Sequence, residues 1–355
     1  MNNRTLNLAA FWVALATTLA TACVMPGLAQ AKSLFPAPNW DARLAAESAS
    51  LPRAEAELRD LFALMRAGNL DALQVRLDSL IAGSAMTQPE RDAILFRFTR
   101  GLGDIEYVDP GLVERLKGVR PSVFVAHPER ASVGVPLYDI AGAAEGVYQL
   151  NLRRDAHDQA RYALDDSPQD WVDQYLFAGA SERRGFVDAL DLAADAALTG
   201  ILRASLPMLS FSPELTAVAG KSALLLRDRR ALQRIAAEGQ GPELAYILEA
   251  AGEVLPAEDA FHLLSFALDE APASNAALAI ARIFPRVVEY PGAIELMLNQ
   301  LANAEFGSAA ALALAQADSA QSRVRLRDVA ANGEGLAARR AQAALGMTRP
   351  FGASR

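Results

Sequence analysis

The residues best equipped for chemistry gather between positions 101 and 139. His127-Pro128-Glu129-Arg130 lies between two short β-branched runs, SVFVA (122–126) and ASVGV (131–135), with Asp104, Glu106, Asp109 and Asp139 nearby in sequence. An imidazole can move protons near neutral pH, and a carboxylate pair can hydrolyse a glycosidic bond when held roughly 5–9.5 Å apart. Tyr107, Phe124, Tyr138 and Tyr148 add rings suited to anchoring a partner. The candidate binding set read from this region is Tyr107, Asp109, His127, Glu129, Arg130, Tyr138 and Asp139.

The remaining chemistry-bearing residues point to ordinary surface or core. His157, in RRDAHDQARYAL, and His262, in AFHLLSFAL, complete the three histidines, and none stands in a metal-ligand spacing. Asp165, Asp166, Asp170 and Asp173 read as a loop and a helix N-terminus, where the helix dipole favours negative charge. Gly220-Lys221-Ser222 imitates the end of a phosphate loop, but Leu215 stands where that motif needs a glycine, and the tripeptide lies in a helical pattern. Neither G-x-S-x-G nor S-x-x-K occurs. The sequence therefore assigns no catalytic residue, no metal, no cofactor and no nucleotide.

Charge narrows the partners. The net charge is −8, unfavourable for general nucleic-acid binding, which rewards clustered Lys and Arg. From Asp318 onward, however, seven arginines face three acids, so this end is +4. Arg323, Arg325, Arg327, Arg339 and Arg340 are the candidates for contact with an anionic partner or lipid headgroups.

The N-terminus predicts export. Arg4 is followed by an apolar stretch, LAAFWVALATTLATACVM (8–25), then Pro26-Gly27 and Ala29-Gln30-Ala31. A basic start, an apolar middle and an A-x-A end make a secretory signal, with cleavage expected after Ala31 and a periplasmic mature chain. The alternatives are an uncleaved anchor and a lipoprotein through Cys23, although Ala20 stands where a lipobox wants leucine. Cys23 is the only cysteine, so a chain cleaved after Ala31 must be held by its core, for which 52% hydrophobic residues suffice.

The elements that would position these residues are helices. Residues 32–50, with Pro36, Pro38 and Trp40, read as an extended leader. Apolar residues spaced three and four apart over 51–100 (Leu58, Leu61, Phe62, Met65; Leu73, Leu77, Leu80, Ile81; Ile94, Leu95, Phe98) predict helical hairpins. Thr87 with Glu90 forms a capping-box signature, and Pro89 suits the first turn. An irregular insert or short β-hairpin is expected over 101–135, a middle helical array over 136–211, and a tail over 347–355. Over 212–346, helix openings at Pro213, Pro242, Ser274, Ser308 and Gly335 recur at separations of 29, 32, 34 and 27 residues, with partner helices between them. Pro285 should kink or end its helix. Helix pairs of this period cannot bury their apolar faces alone, so the fold expected is all-α, an α-solenoid of stacked pairs.

GLAARRAQAALG (335–346) and SNAALAIARIF (274–284) resemble the second helix of HEAT-type repeats. RAEAELRDLFALMRAGNLDALQVRLDSL (53–80) resembles tetratricopeptide-type hairpins. The HEAT-type landmark Asp and Arg positions are not repeated in this chain. The resemblance implies an α-solenoid with a binding surface, and neither a ligand nor a catalytic residue.

Together these features predict an exported, non-catalytic scaffold for an envelope protein or peptide. Two alternatives stand beside it: a cell-wall-glycan enzyme or accessory subunit using the carboxylates around the insert, and a peripheral membrane protein docking through its basic end.

Overall fold

The computed structural model describes residues 36–347, apart from 84, 85, 166 and 318. The expected signal segment, its cleavage point after Ala31, Cys23, Asp166, Asp318 and the end of the tail with Arg349 and Arg355 lie outside the described residues. Among those described, the chain forms eighteen α-helices and one two-stranded sheet, an all-α fold with a small hairpin. It divides into two compact units, residues 1–147 and 148–355.

In the first unit the expected leader is corrected over its second half. Residues Ala42–Ala49 form helix α1, because the Asp41 carboxylate caps the N–H groups of Arg43 and Leu44 and the small residues Ala45 and Ala49 bury on one face. Helices α2 (Pro52–Arg66), α3 (Leu70–Ile81) and α4 (Gln88–Leu102) follow, burying Leu61, Leu73, Leu77, Ile94, Leu95 and Phe98 in the common core. The capping signature is realised, since Glu90 accepts from both the backbone N–H and the hydroxyl of Thr87. The expected insert contains a further helix, α5 (Pro110–Lys117), and then strands β1 (Phe124–His127) and β2 (Arg130–Pro136).

The hairpin pairs antiparallel, Phe124 opposite Pro136 and Ala126 opposite Gly134, with a register shift before His127. Two anchors fix it. Asp92, fully buried on α4, accepts from the backbone N–H groups of Ser122 and Val123 and from the Ser122 hydroxyl, and is paired with Arg91. Residues 36–39 strap the other side: Gly134 donates to the Pro36 carbonyl, while Asn39 holds both Ser122 O and Phe124 N. A Cβ at Gly134 would sit 2.8 Å from Pro36 O, so the strap needs glycine there.

Helix α6 (Ile140–Tyr162) carries the chain from the first unit into the second. There α7 (Pro168–Phe177), capped by Ser167, α8 (Ala180–Ala189) and α9 (Asp195–Ser205) surround Trp171, which stands edge-on to Phe186 at 5.0 Å and donates its indole N–H to Ala160 O. Beyond them lie α10 (Leu215–Leu226), α11 (Arg229–Glu238), α12 (Pro242–Val254), α13 (Ala257–Glu270), α14 (Ala273–Val287), α15 (Ala293–Gln300), α16 (Gly307–Ala317), α17 (Ala320–Asn332) and α18 (Gly335–Met347). Alternate helices pack: α10 on α12, α12 on α14, α14 on α16 and α16 on α18 make one row, while α11 packs on α13 and α15 on α17. Buried alanines such as Ala219, Ala251, Ala279, Ala310 and Ala344 allow the close approach, and one apolar core runs from Ala156 to Ala344. Pro285 falls in the last turn of α14, which continues to Val287 instead of stopping at the proline.

Candidate functional site

The insert residues fall mostly into structural roles. Asp109 caps α5 by accepting from Leu112 N, and Asp139 caps α6 by accepting from Gly142 N. The Nδ1 atom of His127 accepts from Glu129 N and closes the hairpin turn, leaving Glu129 and Arg130 exposed. Tyr138 packs against Phe96 with ring centroids 5.9 Å apart, and its burial pushes the phenol pKa up. Tyr107 is exposed.

The arginine set is similarly committed in part. Arg325 pairs bidentately with Glu295 on α15, and Arg340 donates to the carbonyls of Leu301, Asn303 and Ala304. Arg323 is partly buried on α17, whereas Arg327 and Arg339 are exposed. His157 bonds Asp158 and His262 faces Glu258 at 3.8 Å. Gly220-Lys221-Ser222 lies within α10: Gly220 faces Ile247, Lys221 pairs with Asp191, and Ser222 is buried. Among the described residues no group of three or more His, Cys, Asp or Glu is placed to hold a metal ion.

A constellation that sequence reasoning missed lies in the second unit. A cleft of about 460 Å³ opens between α6, α7, α8, the start of α10 and the N-terminus of α12. Its charged lining is Arg153, Arg183, Arg184, Asp188, Glu214 and Glu243. Gly185 brings α8 against the α6 backbone, since a Cβ there would stand 2.1 Å from Arg153 O. This contact sets Arg183 and Arg184 beside α6.

Within the cleft the charges are unequally satisfied. Arg153 and Asp188 form a bidentate pair at 2.5 and 3.0 Å. Arg183 donates Nη2–H to Leu176 O, lies 5.8 Å from the Tyr175 ring centroid, and approaches Glu214 at 3.8 Å, beyond hydrogen-bond reach. Its Nε–H is buried without an acceptor among the described residues. The Tyr175 hydroxyl donates to Glu214 O, and burial pushes its phenol up to about 12, so it remains a neutral donor. Helix α12 opens on Gly241, with a φ of 79°, followed by Pro242, and no side chain caps it. The sequence signal that could have found the cleft is the mid-helix glycine in ERRGFV, which marks a close approach next to paired arginines.

No protein-family model, no curated protein and no solved structure matches the chain. Among the described residues no helix is long and apolar enough to cross a membrane.

Proposed function

We propose that the chain is an exported, non-catalytic helical-repeat protein, an α-solenoid of stacked helix pairs that holds a protein or peptide of the cell envelope. The observation that carries this reading is the alternate-helix packing of α10 to α18, tied by ion pairs one repeat apart, Arg229 to Asp259 and Arg325 to Glu295. Such arrays present extended side-chain surfaces instead of a single reaction centre. Phe177 and Phe211, 92% and 87% exposed, supply apolar anchors of the type that dominate binding energy. Export rests on the N-terminal signal pattern. The glycan-acting alternative draws little support from Asp109 and Asp139, which are committed to helix caps, and the membrane-docking alternative little from Arg325 and Arg340.

The test is to tag the chain at its C-terminus in its native host, cross-link it in the envelope and identify what co-purifies. A stoichiometric partner, with Lys32 as the first residue of the recovered chain, is the expected result. A chain that keeps Met1 in the cytosolic fraction would overturn export. Absence of any stoichiometric partner, with the tag in either of two positions, would overturn the scaffold reading.

A further inference from the structure

Resting on that scaffold reading, we infer that the cleft between α7, α8, α10 and the start of α12 is a peptide-carboxylate site. In it Arg183 and Arg184 would receive the carboxylate, and Glu214 and Glu243 the neighbouring peptide N–H groups.

The guanidinium of Arg183 has five N–H donors, and its Nε–H is buried with no acceptor among the described residues. That Nε edge is closed to solvent, so an incoming carboxylate would meet the Nη groups, of which Nη2 already donates to Leu176 O and Nη1 has only Glu214, 3.8 Å away. Glu214, the carboxylate that approaches Arg183, is held 3.8 Å away, so it lowers the local positive potential without closing the bond. Arg184 is exposed at the same cleft and makes no ion pair among the described residues. The Arg153–Asp188 pair satisfies itself and leaves these two arginines as the available cations.

The rest of the cleft fits a peptide better than a bare anion. A multivalent anion would meet Glu214, Glu243 and Asp188 on the same walls. A peptide end offers a single carboxylate and, next to it, N–H groups that carboxylates can accept. The uncapped amides at the start of α12 add a second place favourable to negative charge. Tyr175, Val187, Pro213, Ala217 and Pro242 give an apolar surface for the adjoining side chain.

The test titrates the full chain with three probes: N-acetyl-leucyl-alanine with a free carboxylate, its C-terminal amide, and N-acetyl-leucyl-glutamyl-alanine amide. Backbone NMR shifts of α8 and α12 report binding. Saturable binding of the first probe but not the amide assigns a C-terminal carboxylate, and binding of the third assigns an acidic side chain. In either case Arg183→Gln should weaken binding by about tenfold or more, as expected for loss of a charge-assisted bond. Arg184→Gln, at an exposed position that leaves the fold intact, should weaken it by a smaller factor. Saturable binding of the uncharged amide as tight as that of either carboxylate probe, no saturable shifts with any probe, or Arg184→Gln and Arg183→Gln binding like the wild type would overturn the assignment. If the titrations give one of these overturning results while the envelope cross-linking still captures a partner, the scaffold reading stands and the cleft assignment alone fails.

Discussion

Asn275 and Arg340 do the same job at two places in the second unit. Each donates to carbonyls at the end of a helix pair 36 to 39 residues earlier: Asn275 to Ala236 and Gly239, Arg340 to Leu301 and Ala304. Helix ends leave carbonyls without intrahelical donors, and here a helix further along the chain supplies them. The bonds lock one pair to the next as well as completing a helix. Asn275→Ala and Arg340→Ala should therefore each lower unfolding stability by about 1–3 kcal/mol. Arg339→Ala, on the exposed side of α18, should stay within about 0.5 kcal/mol of wild type. Urea denaturation of the three variants checks this, and equal losses at 339 and 340 would place Arg340 on the surface instead.

The exposed ion pairs have a different role. Arg282 reaches Glu249 at 2.9 Å across 33 residues, and one helical turn further along Arg286 pairs with Glu253. Both partners are well exposed, so solvent screens the attraction. Glu249→Gln is expected to cost no more than about 0.5 kcal/mol, and less again at high salt. A loss several times larger in urea denaturation would mean that the pairs hold the row together, a task that otherwise falls to the alanine-lined core.

The helices are legible in the sequence because their apolar residues repeat at three and four, and because Pro242 and Gly335 fall at helix starts. The hairpin is legible from two β-branched runs around a Pro-containing turn. Helix α1 is not, because Ala45 and Ala49 carry too little hydrophobicity to signal a face, although they are buried where α1 packs on α4. The cap at Asp109 is legible as well: Asp109-Pro110 is a helix start in its own right, and the Asp109 carboxylate accepts from Leu112 N. The cleft is hidden because it combines residues from Arg153 to Glu243, each an ordinary helix-surface charge when read alone.

Two glycines separate close approach from open helix surface. Gly146, on α6, has nothing within 4 Å of where a Cβ would stand, so Gly146→Ala should gain up to about 1 kcal/mol from helix propensity. Gly185 faces Arg153 O and His157 N on the neighbouring helix, so Gly185→Ala must push α8 off α6 and should lose about 3 kcal/mol. The same displacement would move Arg183 and Arg184, and with them the carboxylate affinity of the cleft. Thermal unfolding of the two variants side by side measures the difference. A neutral Gly185→Ala would show that α6 and α8 can separate without cost.

Glu90 should make the first unit acid-sensitive. Its carboxylate is fully buried, and burial alone acts to raise its pKa. The hydrogen bonds from Arg53 and from Thr87 outweigh that and hold it below the ordinary carboxylate value. A depressed folded-state pKa means that the unfolded chain takes up the proton first. The stabilisation is then fully present above the unfolded value, about 4.3, and is lost as pH falls through the folded one. Glu90→Gln removes the charge but not the shape, so it should be less stable than wild type by about 1–3 kcal/mol at neutral pH. The gap should close as the pH is lowered through the acid range, because protonation then does to the wild type what the substitution did. Amide exchange along α4, followed for both proteins from neutral to acid pH, reads the gap directly. Curves that stay parallel throughout would show that the Thr87 and Arg53 bonds do not depend on the charge of Glu90.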